Sequence, residues 1–132
     1  MPTDIKIIHA SDFIKATPEG KLDFEESKRG LQAIASAAGP LADCEIMLDT
    51  RKAEVVMSPS DLWYLAAELD KFRKDFYQRK TAVLCPLEHF DQAEFFELCA
   101  QNRGFSVRAF TSFEDAIDWL TSSTDTMEEE GE

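Results

Sequence analysis

Residues 5–9 (IKIIH) form a short β-branched run, and residues 13–17 (FIKAT) alternate apolar with polar positions. The two runs predict strands joined near Ala10, Ser11 and Asp12 as an opening hairpin. Pro18, Glu19, Gly20 and Lys21 then read as a turn. From Asp23 the apolar period lengthens. Phe24, Leu31, Ile34, Ala35 and Ala38 fall at helical offsets, with Glu25, Glu26, Lys28 and Arg29 off that stripe. Asp23 is a suitable N-cap, and Gly39-Pro40 ends the helix.

Residues 45–49 (EIMLD) predict a buried strand, and residues 51–57 a turn followed by a short extended piece. Ser58, Pro59 and Asp61 then stand at the N-cap, N1 and N3 positions of a helix. Leu62, Leu65, Ala66, Leu69, Phe72 and Phe76 continue it as one stripe of about five turns. Residues 81–85 (TAVLC) predict a strand, residues 90–101 a helix with Gly104 past its end, and residues 105–110 (FSVRAF) a last strand. Thr111 and Ser112 each precede an acid by three residues, which predicts a capped final helix carrying Phe113, Ala116, Ile117 and Leu120 inward. The predicted order is β-β-α-β-α-β-α-β-α. It describes an α/β fold with a mixed four- to five-stranded sheet, about four helices on both its faces, and an antiparallel edge from the hairpin.

The length of 132 residues suits one domain, here residues 1–121. Residues 122–132 carry no apolar period and five acids, and read as a disordered acidic tail. The formal net charge is -12, from 14 Lys+Arg against 26 Asp+Glu, which repels nucleic acids and anionic headgroups. No run approaches the roughly 18 apolar residues of a membrane span, and no secretory leader is visible. Cys44, Cys85 and Cys99 are odd in number and lack CxxC spacing, as expected of free thiols in a reducing cytoplasm.

Two segments resemble the STAS domain, the SpoIIAA-like family of sulfate transporters and anti-sigma-factor antagonists. The first is residues 45–49 followed by a loop and by Ser58 opening a helix. The second is residues 107–120, a strand, an aromatic, a short cap and an A-x-x-W-L helix. The resemblance spans roughly residues 5–121. It implies a cytoplasmic binding module without catalysis of its own. In phosphorylated members an Asp-Ser-small-Gly motif precedes the second helix, and a partner kinase modifies its serine. Here Ser58 keeps the serine, while Met57 replaces the acid and Ser60 the glycine.

Ser58 is therefore the candidate phosphoacceptor or partner contact, although an N-cap worth about 1 kcal/mol explains the same residue. Asp49, Thr50 and Arg51 lie beyond the end of a predicted central strand, where open α/β sheets bind ligands. Cys85, Thr111 and Ser112 end neighbouring strands and complete a candidate strand-end pocket. Trp63, Tyr64 and Tyr77 flank the long stripe and form a candidate partner surface. Lys71, Arg73, Lys74, Arg79 and Lys80 make a basic cluster that could dock an acidic partner or neutralise a helix end.

No phosphate-binding glycine motif or paired-carboxylate constellation is present, and Cys85-x-x-x-His89 lacks two further metal ligands. No cofactor or metal is expected. The expected function is a non-catalytic regulatory module of bacterial signalling that binds a protein, such as a regulatory kinase or an anti-sigma-like factor, with self-association into a homodimer as a further option. A carrier of a small apolar ligand or lipid is the first alternative, requiring a pocket of a few hundred Å³ lined by Phe, Leu and Trp. An enzyme using Cys85 or His89 is the second, and it requires the two side chains to converge.

Overall fold

The computed structural model describes residues 4–9, 13–41 and 44–122. Its strands are β1 (Asp4–His9), β2 (Phe13–Leu22), β3 (Glu45–Asp49), β4 (Ala53–Val55), β5 (Lys80–Leu84) and β6 (Ser106–Phe110). Its helices are α1 (Phe24–Ala38), α2 (Pro59–Glu68), α3 (Arg73–Phe76), α4 (Phe90–Gln101) and α5 (Phe113–Thr121). The main sheet runs β1-β2-β3-β5-β6, with β1 antiparallel to β2 and every other pair parallel. The mixed α/β sheet is as expected, with the short β4 as a sixth strand beside β2.

Two apolar layers sandwich the sheet. On one face α1, α2 and α4 cover Ile14, Ala16, Ile46, Val83 and Val107. On the other α5 covers Met47, Ala82 and Leu84 with Ala116 and Leu120. Alternate residues of β3 and β5 therefore serve opposite cores, as the pleat requires.

Three local expectations change. The turn expected at Pro18, Glu19, Gly20 and Lys21 is the second half of β2. Pro18 stands between the stretch of β2 that pairs β3 and the stretch that pairs β4, and the pairing with β1 reaches Glu19. Gly20, at φ 96°, then supplies a backbone conformation that residues with a Cβ rarely adopt. The single long helix expected through Phe76 is divided into α2, a 3₁₀ turn (Leu69–Phe72) and α3. Phe113, expected inward, is exposed. The hairpin connection at Ala10, Ser11 and Asp12 and the tail from residue 123 lie outside the described residues.

Helix α4 also closes one side of the sheet. On the edge strand β6, the Ala109 N–H donates to Glu97 Oε1 at 2.7 Å, and the Val107 carbonyl accepts from Gln101 Nε2 at 3.0 Å.

Candidate functional site

Ser58 is exposed at the start of α2. Its Oγ accepts the Asp61 N–H at 3.1 Å, and Asp61 Oδ2 accepts the Ser58 N–H at 3.0 Å. Proline at N1 fixes φ where a helix needs no donor. The cap predicted from the sequence is present in full.

The six strand-end residues share a rim. Thr50 donates both its N–H and its hydroxyl to the Leu84 carbonyl, at 2.8 and 2.9 Å. Cys85 N–H donates to the Phe110 carbonyl at 2.9 Å. These bonds tie the ends of β3, β5 and β6 together.

The rim is nevertheless divided, because successive residues point to opposite faces. Thr50 and Cys85 face the cavity described below. Asp49 and Arg51 lie toward α5, where Arg51 and Lys15 sit over the Phe113 ring at 5.9 and 5.4 Å. Thr111 is exposed, and Ser112 Oγ caps α5 by accepting the Asp115 N–H at 3.2 Å. The expected single pocket is thus two separate environments.

Asp49 is buried, yet its carboxylate is fully paired. Arg51 donates from Nε at 3.0 Å, from Nη2 at 2.9 Å and from its backbone N–H at 3.1 Å, and Lys15 Nζ lies 3.6 Å away. Burial pushes the carboxyl pKa up. The Arg51 hydrogen bonds, together with the charges of Arg51 and Lys15, outweigh burial and leave it below the usual carboxylate value. This is an ion pair built to keep a buried acid charged.

On the cavity face the sheet, α1, α2 and α4 line a partly open space of about 90 Å³. Leu31 and Ile34 of α1, Leu62 and Leu65 of α2, and Ala93 and Phe96 of α4 form apolar walls. The space is smaller than the few hundred Å³ of the carrier expectation, and neither Trp63 nor Trp119 lines it. Gln92, which the sequence reading passed over, contributes a buried Oε1 without a hydrogen-bond partner among the described residues. Its position four residues before Phe96, on the inward stripe of α4, was the available signal.

Cys85 and His89 both line this cavity, but the conditions for a nucleophile are not met. No hydrogen bond joins them among the described residues. The Cys85 thiol instead lies 3.6 Å from the Phe110 carbonyl, and burial pushes its pKa to about 11. A thiol of that pKa is protonated at neutral pH and weakly nucleophilic. Among the described residues no group of three His, Cys, Asp or Glu side chains could hold a metal ion, and no helix is long and apolar enough to cross a membrane.

Trp63, Tyr64 and Tyr77 are 47%, 57% and 48% exposed. They are ordered by contacts rather than loose on the surface. The Trp63 and Tyr64 rings meet edge to face at 5.1 Å, and the Arg103 guanidinium lies 5.2 Å from the Trp63 ring. Asp70 links Arg103 at 2.8 Å to Arg73 at 2.5 Å, and Arg73 lies 5.6 Å from the Tyr77 ring. The two aromatic groups are ends of one charged chain of contacts.

The basic cluster is not a free cationic patch. Arg79 donates to the carbonyls of Ala38, Leu41 and Cys44 at 2.8, 2.9 and 2.6 Å. Lys80 Nζ donates to the carbonyls of Trp119 and Ser122 at 2.9 and 2.6 Å. Lys71 pairs with Glu68 at 3.1 Å. Lys71, Arg73, Arg79 and Lys80 thus serve helix ends and local acids.

No protein-family model and no curated protein sequence matches the chain. Solved structures do. A protein of the DUF3478 family with a SpoIIAA-like fold, from Shewanella loihica PV-4, has a TM-score of 0.57 at 18% identity, covering 90% of this chain and 94% of that one. An anti-sigma factor antagonist from Mycobacterium paratuberculosis has a TM-score of 0.59 at 14% identity, covering 91% and 95%. The anti-sigma factor antagonist SpoIIAA in its unphosphorylated form has a TM-score of 0.53 at 15% identity, covering 89% and 97%. With a mixed sheet between α5 and the α1, α2 and α4 layer, and with these neighbours matching over nearly their whole length, the chain has the SpoIIAA-like fold.

Proposed function

We propose that the chain is a non-catalytic regulatory module that binds a protein partner through α2 and the loop leading to it. In this reading residues 1–121 are the binding unit and act in the cytoplasm. The observation that carries the proposal is the exposed Trp63–Tyr64 pair, held edge to face within two turns of the Ser58 cap. Exposed aromatics whose positions are already fixed lose little entropy on binding, and such residues dominate interface energetics. The fold likeness to anti-sigma factor antagonists supports the same class of partner, a regulatory kinase or an anti-sigma-like factor. Ser58 is the contact whose modification would tune binding.

The test is capture of cross-linked partners from the source cell, followed by binding of the identified partner in purified form. Wild type should retain the partner, and the Trp63→Ala/Tyr64→Ala double variant should lose at least tenfold in affinity with its fold intact. Equal affinity of the two proteins would remove α2 from the interface. Stoichiometric phosphate on Ser58 in the isolated protein would make it the phosphoacceptor.

A further inference from the structure

We infer that the outward face of α4, with the 3₁₀ turn (Leu87–His89) that leads into it, docks a basic amphipathic helix of a partner protein. This surface goes beyond the α2 reading, since its residues are different ones.

Helix α4 is apolar on two sides. Ala93, Phe96, Cys99 and Ala100 are buried in the core. Glu97 and Gln101 turn to β6, where they bond the Ala109 N–H and the Val107 carbonyl. Asp91, Glu94, Phe95 and Leu98 remain outward, at the i, i+3, i+4 and i+7 spacing of one helix face. Leu87 extends this face, four residues before Asp91. Leu87, Phe95 and Leu98 are 78%, 36% and 54% exposed. One exposed leucine is ordinary, but three large apolar side chains along about three turns make a stripe that calls for a partner.

The charge around the stripe selects the occupant. Residues 81–102 contain no Lys or Arg, while Glu88, Asp91, Glu94 and Glu97 lie among them. Glu97 is engaged with β6, but the carboxylates of Glu88, Asp91 and Glu94 have no ion pair or hydrogen bond among the described residues. Neighbouring elements do not neutralise them. Helix α2, which packs on α4, has no Lys or Arg. Arg108 of β6 lies over the Phe110 and Trp119 rings, at 5.4 and 5.7 Å, on the α5 side of the sheet. Arg103, just past α4, is held by Asp70 at 2.8 Å and lies 5.2 Å from the Trp63 ring. His89 faces the cavity.

A second copy of this chain does not suit the face, because its own α4 would bring the same acids against these. Anionic headgroups and nucleic acids are repelled on the same ground. A helix with Leu or Phe on one side, flanked by Lys or Arg, matches both the stripe and the acids. Its apolar side chains would cover Leu87, Phe95 and Leu98, and its cations would supply the charge that residues 81–102 lack.

Two synthetic peptides of Leu and Lys test this. They share one composition and a length of about four helical turns, but one spaces Leu at helical intervals and the other scrambles the order. Each is titrated into the ¹⁵N-labelled full chain at about 0.15 M salt, which screens merely long-range attraction. The ordered peptide should saturate, with the largest amide shifts between Leu87 and Leu98. It should bind about tenfold tighter than the scrambled one, as burial of a few methylenes requires. Leu87→Gln/Leu98→Gln should weaken it by about the same factor. Asp91→Asn/Glu94→Gln should weaken it about threefold and flatten its salt dependence, and this variant serves if the first does not fold. Equal affinity for the two peptides, largest shifts outside α4 and its leading turn, or an affinity unchanged by both variants would each overturn the proposal. The peptides report on the α4 face alone, so the α2 reading stands or falls on its own double variant.

Discussion

Ser58 and Asp61 each hold the other's backbone N–H, at 3.1 and 3.0 Å, and so close the first turn of α2 from both sides. Ser58→Ala removes one half of that exchange and should cost about 0.5–2 kcal/mol in chemical denaturation. Ser58→Asp keeps an acceptor at the N-cap and adds charge where the helix dipole favours it. Its stability should stay within about 0.5 kcal/mol of wild type. If Ser58 is also a switch, Ser58→Asp should weaken partner binding without a change in stability. If it is a cap alone, binding should survive Ser58→Asp.

The Asp49 carboxylate sets a pH dependence. Its pKa is lowered in the folded chain relative to the unfolded one, so the unfolded state binds a proton first as pH falls. The stabilisation is complete above the ordinary carboxylate value of 3.8 and is lost as pH drops through the lower folded value. Asp49→Asn should cost about 1–3 kcal/mol at pH 7, since Arg51 loses its charged partner. The wild-type advantage over Asp49→Asn should shrink between pH 5 and the acid limit of folding. A constant difference across that range would show that the charge of Asp49 contributes nothing.

Arg79 acts as a remote C-cap for α1, whose own last turn contains no basic residue. Its guanidinium reaches three carbonyls, those of Ala38, Leu41 and Cys44. Arg79→Ala should cost about 2–3 kcal/mol, the range of charged hydrogen bonds. Arg79→Lys should recover only part of this, because an ammonium cannot hold the same fork geometry. Amide hydrogen exchange should speed up at the end of α1 before it does in β5.

The three cysteines are buried thiols, and Cys85 in particular should resist alkylation in the native state. At pH 7–8 iodoacetamide should leave it unmodified, while the denatured chain should take up label at all three positions. The raised thiol pKa also has a sign. Above the ordinary value of 9.0 the unfolded chain loses the proton while the folded chain keeps it up to about 11, so stability falls as pH rises through that window. Rapid labelling of native Cys85 at neutral pH would contradict its burial.

Much of the fold was legible because its signals are local. Pro86 and Gly104 bracket α4, and Ser58-Pro59 announces α2 whatever lies around it. What failed depended on partners distant in sequence. Pro18 and Gly20 carry turn chemistry, but pairing with β4 keeps that stretch extended. The spacings Leu69, Phe72 and Phe76 suit a 3₁₀ turn as well as an α-helix, so the stripe concealed the break. Strand ends were legible as a rim, while the pleat that sends Asp49 and Thr50 to opposite faces divides it. Gln92 was missed because a lone polar residue in an apolar stripe means little until a cavity is seen beside it.

Among the described residues the sheet has a helix bonded to one edge strand and no strand beside the other. Glu97 and Gln101 occupy the backbone positions at β6 that an incoming strand would need, so neither a partner peptide nor a second copy can extend the sheet there. The outer side of β1 has no strand beside it among the described residues. Any association that works by adding strands therefore has a direction, and it runs away from the helix that seals β6.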